Sequence, residues 1–169
     1  NLSINKLRGQ NFLISDEILK KIINVSNLKK GENVLEIGPG LGTLTNAILE
    51  SNVNLISVEV DGNFIPILEK IKSVSNNFQF IREDILKMNL QKQLNKDFLK
   101  NYKIVSNIPY NITSRFLRIF LESNFAPREM ILMLQKEVAE RIVNHDNKWS
   151  KLSVMCNFYS DPKIEFYVS

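Results

Sequence analysis

Glu36-Ile37-Gly38-Pro39-Gly40-Leu41-Gly42-Thr43 follows directly on the apolar run Asn33-Val34-Leu35 and precedes a segment of helical pattern. A strand that ends in glycines and turns into a helix exposes bare backbone N–H groups at the helix N-terminus, where a ligand can lie against the chain. The spacing narrows the ligand. Dinucleotide sites use G-x-G-x-x-G, whereas this turn reads G-x-G-x-G, and no Lys-Ser/Thr pair follows as a phosphate-cradling P-loop requires. Taken alone, such a turn also serves purely structural ends.

Working outward, strand-like apolar runs at Asn33–Ile37, Leu55–Val60, Phe78–Arg82, Lys103–Ser106 and Glu129–Leu134 alternate with amphipathic segments near 43–50, 63–72, 91–99, 113–122 and 136–143. Alternating strands and helices predict a parallel sheet covered on both faces. Ser15-Asp16 is placed to cap a preceding helix whose Ile18, Leu19, Ile22 and Ile23 share a face. At the other end Leu152–Tyr159 and Lys163–Val168 read as strands joined by a Ser160-Asp161-Pro162 turn. The expected architecture is α/β: a Rossmann-like, doubly wound, seven-stranded sheet with five parallel strands and a C-terminal antiparallel hairpin. No repeat or linker divides the 169 residues, which suit one domain.

Two acids follow the glycine turn. Glu59 ends the second strand, where a carboxylate can accept hydrogen bonds from both hydroxyls of a ribose, and Asp84 follows the third, placed to accept from an adenine amino group. A ligand with no phosphate and a sulfonium charge suits this acidic company. Asp61, beside Gly62, reads equally as a helix cap.

After the fourth strand comes Ser106-Asn107-Ile108-Pro109-Tyr110-Asn111. The amine of adenine is a poor nucleophile because its lone pair is delocalised into the ring. An Asn107 side-chain oxygen and a backbone carbonyl, of Ile108 or Pro109, are suited to take its two protons and orient that lone pair, with Tyr110 stacking on the base. Pro109 holds the loop extended. The leaving thioether would be neutral, so proximity and in-line orientation supply most of the rate without a strong base.

Charge and composition set looser bounds. The net charge is +4, and residues 61–120 hold ten Lys or Arg against five Asp or Glu, which marks that stretch as the candidate basic face. Nucleic acid and a simple solvated surface both fit. Cys156 is the sole cysteine, so no internal disulfide forms and a reducing, cytoplasmic setting is expected. No apolar run approaches membrane-spanning length. His145, the sole histidine, reads as a solvated residue, and no metal site is expected. Arg115 and Arg118 flank the Asn107 loop as candidate phosphate contacts or as solvated helix positions; Phe116, Phe120, Leu121, Met130 and Met133 read as core.

Assembled in this order, the motifs resemble the KsgA/Dim family of small-subunit rRNA adenine N6,N6-dimethyltransferases, from about Arg8 to the C-terminus. Gly9-Gln10-Asn11-Phe12-Leu13 is similar to that family's N-terminal cofactor motif, Glu36–Thr45 to its glycine motif, Asn107-Ile108-Pro109-Tyr110-Asn111-Ile112 to its catalytic motif, and Met133-Leu134-Gln135-Lys136-Glu137-Val138-Ala139 to a further one. The resemblance implies a class I methyltransferase fold with S-adenosylmethionine as cofactor, held by Asn11, Leu13, Gly38, Gly40, Glu59, Asp84 and Asn107, with Asn107, Pro109 and Tyr110 at the reacting end. It implies two adjacent adenines near the 3′ end of small-subunit rRNA as substrate, within a pre-ribosomal particle, and a monomer with no membrane partner.

It also implies that residues 1–169 form the cofactor-binding domain, with a second base-stacking aromatic and a small helical RNA-docking domain beyond Ser169. Trp149-Ser150-Lys151-Leu152-Ser153 departs from the family's Tyr-Gly-Arg-Leu-Ser pattern. The Erm methyltransferases, which act on large-subunit rRNA, share the Gly-Gln-Asn-Phe and Asn-Ile-Pro-Tyr motifs. A noncatalytic RNA-binding assembly factor and an adenine DNA methyltransferase are the remaining alternatives.

Overall fold

A computed structural model describes residues 15–143 and 149–168. Asn11, Leu13 and His145 lie outside the described residues. Five parallel strands, β1 (Asn33–Ile37), β2 (Asn54–Glu59), β3 (Phe78–Arg82), β4 (Tyr102–Asn107) and β5 (Glu129–Met133), pair in the order β3-β2-β1-β4-β5. Eight α-helices are described: α1 (Asp16–Ser26), α2 (Thr43–Leu49), α3 (Ile65–Val74), α4 (Leu90–Gln93), α5 (Lys96–Lys100), α6 (Thr113–Leu121), α7 (Lys136–Val143) and α8 (Lys151–Tyr159).

The apolar runs of the inner strands β1, β2 and β4 are buried on both faces because alternate side chains leave the pleat in opposite directions. Val34, Leu55 and Val105 point into a core built with Leu19 and Ile22 of α1, Leu44 and Ile48 of α2, and Leu68 and Ile71 of α3. Leu35, Ile37 and Ile104 point the other way, against Phe98 of α5, Phe116 and Phe120 of α6, Ile142 of α7 and Cys156 of α8. Each fully buried side chain of this size contributes about 1.5–3 kcal/mol. The expected helix near 91–99 is two short ones, because Asn89 and Asn95 each cap a new start by accepting from Lys92 and Asp97 backbone N–H groups.

The C-terminal hairpin does not form. Leu152–Tyr159 lies in α8 rather than in a strand, so among the described residues the sheet has five strands instead of the seven expected. The Ser150 hydroxyl accepts from the Ser153 N–H at 3.1 Å while Ser153 Oγ accepts from the Ser150 N–H at 2.8 Å, a reciprocal cap that starts a helix. Leu152, Met155 and Cys156 then face the core at helical spacing, and Val154 and Phe158 face outward. With no partner strand, 160–168 carries no regular structure, although Phe166 still packs against the core on the α1 side.

Candidate active site

The order of strands reverses between β1 and β4, the position at which open α/β sheets leave a crevice beyond the strand ends. Pairing of β1 with β4 stops at Leu35 and Ile104. Beyond that point Ser106 links the two strands by itself: its Oγ accepts from the Ile37 N–H at 3.2 Å and donates to the Ile37 carbonyl at 2.7 Å. One buried hydroxyl thus joins the glycine turn to the Asn107 loop.

Above it opens a cavity of ≈ 570 Å³, a size suited to a nucleoside ligand. The glycine turn forms one wall. Gly38, Gly40 and Gly42 have φ of 65°, 55° and 76°, values that disfavour any side chain. A Cβ on Gly42 would strike Ile71 of α3, whereas one on Gly38 would meet open space, so Gly38 is required by its backbone conformation alone.

Glu59 shapes that wall. Although it is buried, its carboxylate lines the cavity, with Oε2 accepting from the Gly40 N–H at 3.1 Å and Oε1 from the Asp61 N–H at 2.7 Å. Burial raises its pKa above the usual carboxylate range, partly offset by these two backbone donors. A carboxylate offers about four lone-pair sites, so acceptor capacity remains for a ribose hydroxyl beside the backbone donors of Gly40, Asp61 and Val60. Asp84 also lines the cavity; its Oδ1 accepts from the Leu86 N–H at 3.0 Å and its Oδ2 faces Lys87 Nζ at 4.0 Å. Asp61 turns out to cap the 3₁₀ turn Gly62–Phe64 through the Asn63 N–H, at 3.0 Å.

The opposite wall is Asn107-Ile108-Pro109-Tyr110, held by the Ile108 N–H donating to the Met133 carbonyl at 3.3 Å. The Pro109 carbonyl already accepts from the Ile112 N–H at 3.2 Å and the Thr113 hydroxyl at 3.1 Å. Its lone pairs are therefore spent inside the loop, which narrows the expected backbone acceptor to the Ile108 carbonyl. Tyr110 is 54% exposed, a ring presented to solvent at the cavity edge. Arg115 is exposed, while Arg118 pairs with Glu122 at 3.1 Å. Phe116, Phe120 and Leu121 are core residues as expected, but Met133 lines the cavity.

Glu36 was not singled out by the sequence as more than part of the glycine motif. The structure buries it in β1, where its Oε2 accepts from Ser57 Oγ at 2.7 Å and Thr45 Oγ1 at 2.8 Å, and it too lines the cavity. Burial pushes its carboxyl up to about 7. A glutamate inside an otherwise apolar strand was the available signal. Among the described residues no group of His, Cys, Asp or Glu is placed to hold a metal, and no helix is long and apolar enough to cross a membrane.

The parallel sheet, its switch-point cavity and the strand-end carboxylates define a class I methyltransferase domain. A dimethyladenosine transferase from Plasmodium falciparum superposes with a TM-score of 0.71 at 28% identity, over 86% of this chain and 51% of that one. The 23S rRNA methyltransferase ErmE gives 0.71 at 26%, over 85% and 56%. The chain belongs to the ribosomal RNA adenine dimethylase family, whose model matches residues 1–164. A ribosomal RNA small subunit methyltransferase A from Dehalococcoides mccartyi (strain CBDB1) is 42% identical over 164 residues, 96% of this chain. The chain spans 55% of that relative's length.

Proposed function

We propose that this chain is the cofactor-binding and catalytic domain of a small-subunit rRNA adenine N6,N6-dimethyltransferase, with S-adenosylmethionine as methyl donor. The observation that supports it most is the convergence of Glu59, Asp84 and Asn107 on one cavity at the β1/β4 switch point. When bound, S-adenosylmethionine supplies a methyl group activated by its sulfonium. The chain's own residues do the rest. Gly38 and Gly40 let the backbone approach the cofactor, Glu59 accepts from its ribose hydroxyls, and Asp84 accepts from its adenine amine. Asn11 and Leu13 complete the cofactor contacts in this reading.

A target adenine taken out of its stack lies against Tyr110. The Asn107 side-chain oxygen and the Ile108 carbonyl would accept hydrogen bonds from the two amine N–H groups and aim the lone pair along the transfer axis, the proton leaving to solvent after the methyl group has moved, while Pro109 keeps the loop in shape. The substrate in this reading is a pair of adjacent adenines near the 3′ end of small-subunit rRNA, in a cytoplasmic pre-ribosomal particle and approached by a monomer. Small-subunit rather than Erm-type specificity is supported by the higher identity to the D. mccartyi small-subunit enzyme, 42%, than to ErmE, 26%. RNA docking is shared with the helical domain that the family resemblance implies past Ser169.

Calorimetric titration with S-adenosylmethionine tests the cofactor half. Binding to the wild type is expected, weakened about tenfold or more in Glu59→Ala by loss of hydrogen bonds to a charged acceptor. A folded wild-type chain that takes up no S-adenosylmethionine would overturn the proposal.

A further inference from the structure

The cavity is charged unevenly along its length. Four carboxylates, Glu36, Glu59, Glu83 and Asp84, line it around the ends of β1, β2 and β3. Among the described lining residues the one cation is Lys136, at the far side, where β5 passes into α7. The N-terminal end of a helix repels positive charge, and the i,i+4 pair with Glu140, 3.9 Å away, offsets this only weakly at a side chain 65% exposed.

Two side chains border the exposed Lys136 ammonium. It lies 5.5 Å from the centroid of the Tyr167 ring and 3.9 Å from Glu140 Oε1, and the Tyr167 hydroxyl donates to that same Glu140 oxygen at 3.3 Å. At 3.9 Å the carboxylate is beyond hydrogen-bonding range, so the donors of the ammonium stay available to another anion. Val168, next to Tyr167, also lines the cavity.

We propose that Lys136 is a positioning residue that holds a backbone phosphate of the RNA strand beside the target adenosine. The inference rests on the adenine methyltransferase reading above. A sulfonium cation is favoured at the acidic end and disfavoured beside Lys136; a phosphate experiences the reverse. Charge alone therefore orders the two ligands in one cavity, with the strand entering over β5 and α7. Tyr167 and Glu140 bias the ammonium towards the cavity rim, and its contact with a phosphate sets the depth to which the adenine reaches Asn107.

The test compares Lys136→Ala, Lys136→Arg and, as a surface control, Lys21→Ala, an exposed α1 lysine outside the cavity lining. Binding of an unmethylated single-stranded RNA oligomer is followed against salt, S-adenosylmethionine binding by calorimetry, and KM and kcat on undermethylated small subunits. Lys136→Ala should raise KM for RNA with kcat at saturation and cofactor affinity unchanged, and should lower the slope of log K against log salt by about 0.7–0.9, one phosphate contact. Lys136→Arg should restore the slope, and Lys21→Ala should leave it intact. An unchanged KM and slope in Lys136→Ala, or an equal loss of cofactor affinity, would overturn the role. A wild type that binds cofactor but neither binds nor methylates RNA at any salt would instead remove the adenine RNA reading, and this proposal with it.

Discussion

Glu36 sits 1% exposed in β1 with two hydroxyl donors on a single oxygen. Its neighbouring carboxylate Glu59 opposes ionisation further. Because burial raises the folded-state value from 4.5 to about 7, the folded chain binds a proton that the unfolded chain has already released between those values. Stability must then fall as pH rises through that window and level off above it, by about 3 kcal/mol if Glu36 acts alone. Glu59, also raised, adds in the same direction. Denaturant melts from pH 4.5 to 8 should show this decline in the wild type and a flatter profile in Glu36→Gln; an identical slope in both would contradict it. The sequence displayed Glu59 and Asp84 because strand ends are recognisable by position. It did not display Glu36, since the partners that make this carboxyl unusual, Thr45 and Ser57, are brought to it only by α2 and β2 packing together.

Ser106 and Ser150 show how one hydroxyl can govern an element. Removing the Ser106 hydroxyl leaves the Ile37 N–H and carbonyl without their partner where the β1–β4 ladder has ended. Ser106→Ala is expected to cost about 1–3 kcal/mol in denaturant unfolding. It should also weaken cofactor binding, because the glycine turn loses its tie to the Asn107 loop; unchanged stability and affinity would contradict that coupling. Ser150→Ala should destabilise the chain by about 0.5–2 kcal/mol through loss of the α8 cap, read from the same melts, with no effect if 151–159 were a strand.

The five parallel strands were legible within about one residue at each end, since a strand buried on both faces is a short, continuous apolar run. The end of the chain was not legible. Leu152, Val154, Cys156 and Phe158 alternate as a strand would, while Leu152, Met155 and Cys156 satisfy a helix equally well. What decides between them is the reciprocal Ser150/Ser153 cap and the packing of α8 on α6 and α7, the second of which is a tertiary fact.

At the level of the whole chain, fold and chemistry meet along one line: β1 ends in the glycine turn, β4 ends in the Asn107 loop, and Ser106 joins them beneath the cavity. The order of motifs in the sequence predicted which loops converge, because a doubly wound parallel sheet brings all strand C-termini to one edge. It did not predict the charge division across that edge, because Lys136 takes its place through Glu140 and a tail residue, Tyr167, far from the other site residues in the chain.

Mass spectrometry of rRNA from undermethylated small subunits, incubated with S-adenosylmethionine and either this chain or a form continued past Ser169, is the most direct test. N6,N6-dimethyladenosine is expected at two adjacent positions near the 3′ end, abolished by Asn107→Ala in a protein that keeps its fold. Methyl groups appearing elsewhere, or persisting undiminished in Asn107→Ala, would contradict it.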